Sequence, residues 1–476
     1  MTKLFGAIDI GATSGRVIAG FFEDGKISIS EVHRFPNGPV SGEARLTWKF
    51  DALLAEVKIG LRKLGELAEQ TGQTVTSVGI DMWAVDYGLV SNGTLVQQPS
   101  CYRDPQNELG VRLVHERISF AKLYEVNGLQ FLPFNTIYQI TKHSNLDPTS
   151  MDVAENLMLL PDLLGYFLTG KMATERTNAS STGLLDANTR EWSNDIATRL
   201  DINLALFPPL ADAGDILGEL GEEFGPTLSA TKVVLVGSHD TASAVVGVPA
   251  TDPNFAFISS GTWSLLGAEI PEPILNSESR ESNFTNELGV DGRVRFLKNL
   301  SGLWLLSECI RDWERTGLVI DLPKLLSDAA EISPFSFLID VNDQAFISPD
   351  DMPLKIARQL TARGFSPPKT PAEFTSLILH SLASSYAQGM FELEKLTGLA
   401  FDVIYVIGGG SQNELLSQLT ANATGKVVRT GPVEATALGN LLVQARTAGI
   451  GGPTLEDLRA MLLASDFASK TYKPQS

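Results

Sequence analysis

The chain has 476 residues, 43% hydrophobic and 20% charged, with 56 Asp and Glu against 37 Lys and Arg for a formal net charge of −19. That length exceeds a single hydrophobic core, so two domains are expected, and an acidic field of this size excludes nucleic acid and anionic membranes as partners. Two cysteines, Cys101 and Cys309, exclude a disulfide framework, five scattered histidines exclude an imidazole metal cluster, and no apolar run reaches membrane-spanning length, so a cytoplasmic protein is expected.

The first pattern is Ala7-Ile8-Asp9-Ile10-Gly11-Ala12-Thr13-Ser14-Gly15-Arg16, followed by Val17 to Phe21. Apolar β-branched residues flank a cluster of turn formers, which predicts a strand, a tight turn and a second strand. Glycine lets backbone N–H groups approach a ligand, and successive N–H groups in a turn form a concavity that suits phosphate. Asp9 at the end of the first strand suits a magnesium ion bridging phosphates, because that ion takes hard oxygen ligands and keeps its waters. The run lacks the Gly-Lys-Ser/Thr ending of a P-loop, and it opens a strand where a Rossmann loop opens a helix. An ordinary hairpin turn is the alternative at this point.

A second turn at Glu23 to Lys26 predicts three antiparallel strands between Leu4 and about Phe35. Helical spacing of Leu53, Leu54, Val57, Leu61, Leu64 and Leu67 predicts a helix over 50–70, and apolar runs predict strands at Val75 to Asp81 and Ala84 to Val90. The middle of the chain reads as mainly helical, near 109–119, 135–143 and 151–168, the last stopped by Gly170. Lys232 to Val236 is a buried strand ending in Gly237-Ser238-His239-Asp240-Thr241, with a small-residue helix after it.

Past Pro249 the opening pattern recurs: Phe255 to Ile258, the turn Ser259-Ser260-Gly261-Thr262, and Trp263 to Gly267. One duplication, in two halves divided as 1–248 and 249–476, is therefore expected. Helices follow at about 302–316 and 372–396, then the strand Val403 to Ile407 with Gly408-Gly409-Gly410-Ser411-Gln412-Asn413 at its end, a short strand at Val427 to Arg429 and a closing helix over 434–448.

Four apolar strands thus end in polar, glycine-bearing turns, and open α/β sheets bind ligands at the carboxyl ends of their strands. Two hairpin turns, one per half, could clamp a triphosphate across a cleft. Asp240 could accept a hydroxyl proton as a sugar attacks a phosphate, or could simply be a helix N-cap. Trp83 and Tyr87 beside Asp81 and Asp86 could form a sugar platform or could be core aromatics. Tyr102-Arg103-Asp104 could contact substrate or be a surface ion pair, and Gly408 to Gly410 could approach adenine or be a plain strand-to-helix turn.

Taken together, Asp9 to Arg16, Asp81 to Gly88, Tyr102 to Asp104, Gly237 to Thr241, Ser260 to Trp263, Asn299 to Leu306 and Gly408 to Asn413 resemble the carbohydrate kinases of the FGGY family over essentially the whole chain. The resemblance implies an α/β fold of two ribonuclease-H-like domains of the actin and hexokinase type, with a cleft between them that holds ATP and Mg²⁺. It implies phosphorylation of a ketose, with Asp240 as the catalytic base and Trp83, Ala84, His239, Asp240 and Thr241 at the sugar. Ala12, Thr13, Ser14, Gly15, Arg16, Thr262, Asn299 and Gly409 fall at nucleotide positions, and Asp9 at the metal. The chain departs from the members it most resembles at Ala84, where they carry Gly, and at Ser307, where they carry Gln. An actin-like nucleotide switch without catalysis is the reading from a different class.

Overall fold

The computed structural model describes residues 2–42, 45–250, 252, 254–348, 350–465, 467 and 469–475. Two compact units emerge: Met1–Pro253 with Glu269–Phe296 and Glu434–Phe467, and Asn254–Ala268 with Leu297–Val433 and Ala468–Ser476. The helix Ala435–Thr447 lays Leu438, Leu441 and Leu442 into one core with Phe5, Ala7 and Ile18 of the opening hairpin, which ties a late segment to the first unit.

The first unit is organised on a six-stranded sheet in the order Ile216–Glu219, Lys232–Val234, Val75–Met82, Lys3–Ile10, Ser14–Glu23 and Lys26–Pro36. Lys3–Ile10 is antiparallel to Ser14–Glu23 and parallel to Val75–Met82, which is in turn parallel to Lys232–Val234. Its continuous apolar run suits a strand covered on both faces. Asp24 and Gly25, with φ of 50° and 75°, both adopt the left-handed region that a two-residue hairpin turn requires. The helix Phe50–Thr71 buries Leu53, Val57, Leu61 and Leu64 on one stripe and stops at Gly72, φ 64°.

The middle segment differs from its periodicity. Residues 151–168 form the end of the helix Pro148–Val153, the strand Asn156–Leu159 and most of the helix Leu160–Thr169, where one helix is expected. Pro161 sits in the first turn of the last of these, where its missing N–H does no harm, but it could not lie inside a longer helix. Asn156–Leu159 pairs antiparallel with Tyr87–Ser91 and satisfies its backbone groups in a small separate sheet.

The second large sheet has the strand order Thr285–Leu288, Val294–Ser301, Trp263–Ile270, Ala256–Ser260, Val403–Ile407, Val427–Thr430 and Thr471–Tyr472. Here too a hairpin, with Ser260 opposite Ser264, is flanked by two parallel strands and a final antiparallel one. The same order in both units is that of two ribonuclease-H-like domains.

Inside the first unit, the helices Asp240–Val246 and Ala435–Thr447 touch backbone to backbone: a Cβ on Gly439 would lie 1.8 Å from the Ser243 carbonyl oxygen. Alanine would gain about 1 kcal/mol in helix propensity but would force the helices apart, so Gly439→Ala is expected to cost a net ~2 kcal/mol. Gly409→Ala meets no atom within 4 Å and is expected to stay within about 0.5 kcal/mol of wild type. Urea unfolding midpoints check both.

Candidate active site

The register of the central strands puts Asp9 beside Asp81 on the parallel side and opposite Arg16 on the antiparallel side. Arg16 donates to Asp9 Oδ2 from Nε at 3.2 Å and Nη2 at 2.9 Å, and its Nη1 lies 2.5 Å from Glu434 Oε2. Asp81 is fully buried and accepts from Asn440 Nδ2 at 2.6 Å. Gln444 Nε2 donates to Asn440 Oδ1 at 2.6 Å, and Ser77 Oγ donates to Gln444 Oε1 at 2.7 Å, so a polar ladder from the helix Ala435–Thr447 supports the carboxylate. Gly79 makes this possible: a Cβ there would sit 2.5 Å from Asn440 Oδ1.

Asp81 Oδ1 has no hydrogen-bond partner among the described residues. Burial, followed by the like charge of Asp9, holds the Asp81 carboxyl well above the ordinary carboxylate range, with Asn440 opposing. Burial also raises Asp9, against the pull of the Arg16 guanidinium and with the push of Asp240 and Glu434. Such a pair, one oxygen unsatisfied, fits a hard cation that brings its own waters, which Mg²⁺ does with one or two carboxylates. No group of three or more His, Cys, Asp or Glu able to cage a metal occurs among the described residues.

The third carboxylate comes from the neighbouring strand end. Met82 N donates to Ser238 O at 2.9 Å, which extends the parallel pairing to His239 and brings Asp240 to the same edge. Fully buried Glu175 holds this turn by accepting from Ser238 N at 3.1 Å and Ser238 Oγ at 2.7 Å. Asp240 is not the N-cap of the helix it opens; that position is His239. Its Oδ1 instead accepts from Thr241 N at 2.6 Å and Thr241 Oγ1 at 3.1 Å, and its side chain keeps 33% of its surface exposed. A carboxylate so placed is oriented yet reachable.

Behind His239 lie two residues that belong to none of the sequence motifs. Arg295 Nη2 is 3.1 Å from His239 Nδ1 and 3.2 Å from Glu287 Oε2. Arg295 interrupts the apolar run Val294-Arg295-Phe296-Leu297, and a fully buried charge is uncommon enough to have been the signal.

In the stretch 81–90 every residue is buried except the partly exposed Ala84. Trp83 packs its ring on Trp48 at 4.3 Å within the core of the first unit, and Tyr87 donates or accepts at His143 Nδ1, 2.8 Å away. Val85 has φ 72°, a strained conformation for a β-branched residue. It is held because Thr136 Oγ1 at 2.7 Å and Gln139 Nε2 at 3.2 Å donate to its carbonyl. The turn aims Asp86 inward, where it accepts from Trp48 Nε1 at 2.6 Å, Trp83 Nε1 at 3.0 Å, Gln139 Nε2 at 2.9 Å and Tyr102 N at 3.2 Å. Asp86 is therefore an organiser of the aromatic cluster. Asp104 is a buried acceptor for Leu46 N at 3.2 Å and Gln106 N at 2.8 Å, while the exposed Arg103 lies over the Tyr102 ring.

The opening turn carries Ala12 and Ser14 partly exposed and Thr13 exposed, whereas Gly15 is buried. Gly15 answers a packing need, since a Cβ there would lie 2.3 Å from the Phe35 ring. In the second unit Thr262 is exposed in its hairpin turn, and Leu303 N donates to Gly261 O at 3.0 Å as the chain enters the helix Trp304–Arg315. Gly408 and Gly410 lie against Ser260, where a Cβ on either would come within 2.9 Å and 2.0 Å of its atoms, so exposed Gly409 stands beside the same turn. Asn299 is partly exposed on Val294–Ser301, three residues before Gly302, where a Cβ would lie 2.7 Å from the Gly261 and Thr262 carbonyl oxygens, so only glycine lets the backbone cross the turn.

Two ribonuclease-H-like sheets with polar hairpin turns, and carboxylates at the carboxyl ends of central strands, place the chain in the actin and hexokinase class of folds. The models of the FGGY family of carbohydrate kinases match residues 4–247 with their N-terminal domain and 256–448 with their C-terminal domain, and the chain belongs to that family. It is 38% identical to a rhamnulokinase of Bacteroides thetaiotaomicron over 100% of this chain and 96% of that one. To a rhamnulokinase of Oceanobacillus iheyensis it is 40% identical over 92% of each. The fold is similar to a gluconate kinase of Lactobacillus acidophilus, with TM-score 0.81 at 16% identity over 100% of this chain and 94% of that one. A glycerol kinase of Plasmodium falciparum solved with ADP gives 0.78 at 14% identity, over 100% and 94%. No described helix is long and apolar enough to cross a membrane.

Burial, opposed by these hydrogen bonds, raises the Asp86 carboxyl from 3.8 to about 6. A raised carboxyl favours folding while protonated, so its contribution is full below the unfolded value and is lost as pH rises through about 6. Relative to Asp86→Asn, wild-type unfolding free energy is expected to fall by about 2.5 kcal/mol between about pH 4 and about pH 7. Urea titrations across that range measure the difference.

Proposed function

We propose that this carbohydrate kinase transfers the γ-phosphoryl group of ATP to a ketose, L-rhamnulose, giving L-rhamnulose 1-phosphate in cytoplasmic L-rhamnose catabolism. The observation that carries the sugar is the 35–40% identity to rhamnulokinases over 92–100% of this chain. The observation that supports the chemistry is Asp240, exposed in part, oriented through Oδ1 by Thr241 and adjacent to His239.

In this reading the Asp240 carboxylate takes the proton of the sugar hydroxyl as that oxygen bonds to the γ-phosphorus and the bond to the ADP oxygen breaks. His239, Thr241 and the partly exposed Ala84 line the sugar, with Trp83 behind them as support. Ala12 to Arg16 hold phosphate, and Thr262, Asn299 and Gly409 hold the nucleotide. Asp9 and Asp81 would hold Mg²⁺ through its waters, and the ion would neutralise phosphate charge when bound. Arg16, now paired with Asp9 and Glu434, would be drawn toward phosphate.

A general base contributes about 10²- to 10⁴-fold, positioning and charge neutralisation supplying the rest in phosphoryl transfer. Asp240→Asn is therefore expected to lower kcat by about 10³-fold while calorimetry finds ATP affinity within about twofold of wild type. Retention of near-wild-type turnover would remove Asp240 from the role of base.

The Ala84 methyl, where the resembling kinases carry Gly, favours a second reading with the same chemistry on L-fuculose or a pentulose. A panel of ketoses with ADP formation coupled to detection decides between them: kcat/KM is expected to be highest for L-rhamnulose. A higher value for another ketose would reassign the substrate, and ATP hydrolysis indifferent to every sugar would point to a nucleotide switch.

A further inference from the structure

We infer that Arg295, with Glu287 as its counter-charge, is a positioning residue that fixes His239 as the tautomer carrying its proton on Nε2, so that the ring faces the active site as a hydrogen-bond donor. The inference rests on the sugar-kinase reading only for its functional consequence.

Burial disfavours a cation, yet one lies behind His239. Arg295, on Val294–Ser301, is fully buried, and Glu287, on Thr285–Leu288, is nearly so. Arg295 Nε donates to Leu288 O at 3.1 Å, but Nη1 has no hydrogen-bond partner among the described residues. Burying an ion pair with a nitrogen unsatisfied is poor use of the interior for stability alone, because desolvation offsets the attraction. Burial lowers the Arg295 pKa, opposed by Glu287, Asp240, Glu175 and Glu269, while Arg295 with His239 holds the Glu287 carboxyl below its ordinary range against its own burial.

What this pair touches is His239. A guanidinium has only donors, so the 3.1 Å hydrogen bond between Arg295 Nη2 and His239 Nδ1 requires a lone pair on Nδ1. Glu287 Oε2, 3.3 Å from the same nitrogen, is the competing acceptor that a hydrogen on Nδ1 would serve, and the shorter contact from the guanidinium favours the lone pair there. With Nδ1 occupied, a neutral ring carries its hydrogen on Nε2. That nitrogen lies 3.5 Å from Asp240 Oδ1 and makes a long 3.5 Å hydrogen bond with Thr241 Oγ1, a contact weak enough to give way to a ligand oxygen. The site therefore selects a sugar oxygen that can accept from His239 while Asp240 accepts from the attacking hydroxyl. One ring donor and one carboxylate acceptor, on adjacent residues, impose opposite requirements on two sugar oxygens.

Nitrogen-15 NMR of histidine-labelled full-length protein reads the tautomer directly, with the His239 signals identified by their loss in His239→Gln. The expected result is an unprotonated Nδ1 and a protonated Nε2 in wild type. In Arg295→Met/Glu287→Gln, which removes both buried charges together, the two tautomers are expected to mix. The KM for sugar should then rise about ten- to a hundredfold while the KM for ATP stays within about twofold. Arg295→Lys, retaining a cationic donor, should recover the Nε2–H tautomer and part of the sugar KM. A proton on Nδ1 in wild type, or an unchanged tautomer in the double variant, overturns the inference. Should the double variant fail to fold, the wild-type and Arg295→Lys spectra still decide it. The expected tautomer in a protein that phosphorylates no sugar would leave the assignment standing and sink the kinase reading instead.

Discussion

Placing carboxylates at the ends of adjacent parallel strands is the constraint on which the first unit depends. Asp9 and Asp81 are register partners, and Asp240 follows from the next strand end, so pairing the sheet correctly also concentrates like charge in a buried place. Water cannot solvate these groups fully, and the chain compensates with specific partners: Arg16 across the hairpin for Asp9, and Asn440 for Asp81. Arg16 can sit there only because the hairpin register sets it opposite Asp9. Asn440 can reach Asp81 only because Gly79 has no side chain and the small-residue contact at Gly439 brings its helix close.

A second layer orients the groups at these strand ends. Glu175 anchors the turn at Ser238, Arg295 and Glu287 back His239, and Asp86 gathers the N–H groups of Trp48 and Trp83. Each device spends a buried polar or charged group on geometry. The strained backbone of Val85 belongs with them, since helix Thr136–Leu146 over-determines it by two hydrogen bonds to its carbonyl.

Much of this was legible in order. The apolar runs around Asp9, the Asp24-Gly25 turn, the leucine stripe of Phe50–Thr71 and the second hairpin at Ser260 to Trp263 all occur where local patterns put them. The His239-Asp240-Thr241 cluster at a strand end was equally visible. Periodicity failed between Met151 and Leu168, because a four-residue apolar strand and a helix turn carry the same composition and only the pairing with Tyr87–Ser91 separates them. It also gives no sign that the closing helix Ala435–Thr447 packs on the opening strands.

The amino-acid order alone determined the hairpins, the main helices, the strand-end turns and the family likeness, since these rest on residue spacing within a few turns of chain. The tertiary structure decided which distant groups meet: Asn440 with Asp81, Glu434 with Arg16, Arg295 with His239. Those pairs are separated by tens to hundreds of residues, and no local period encodes them. The need to neutralise or hydrogen-bond each buried charge specifies that a partner must exist, while only the packing of helices and strands specifies which residue it is.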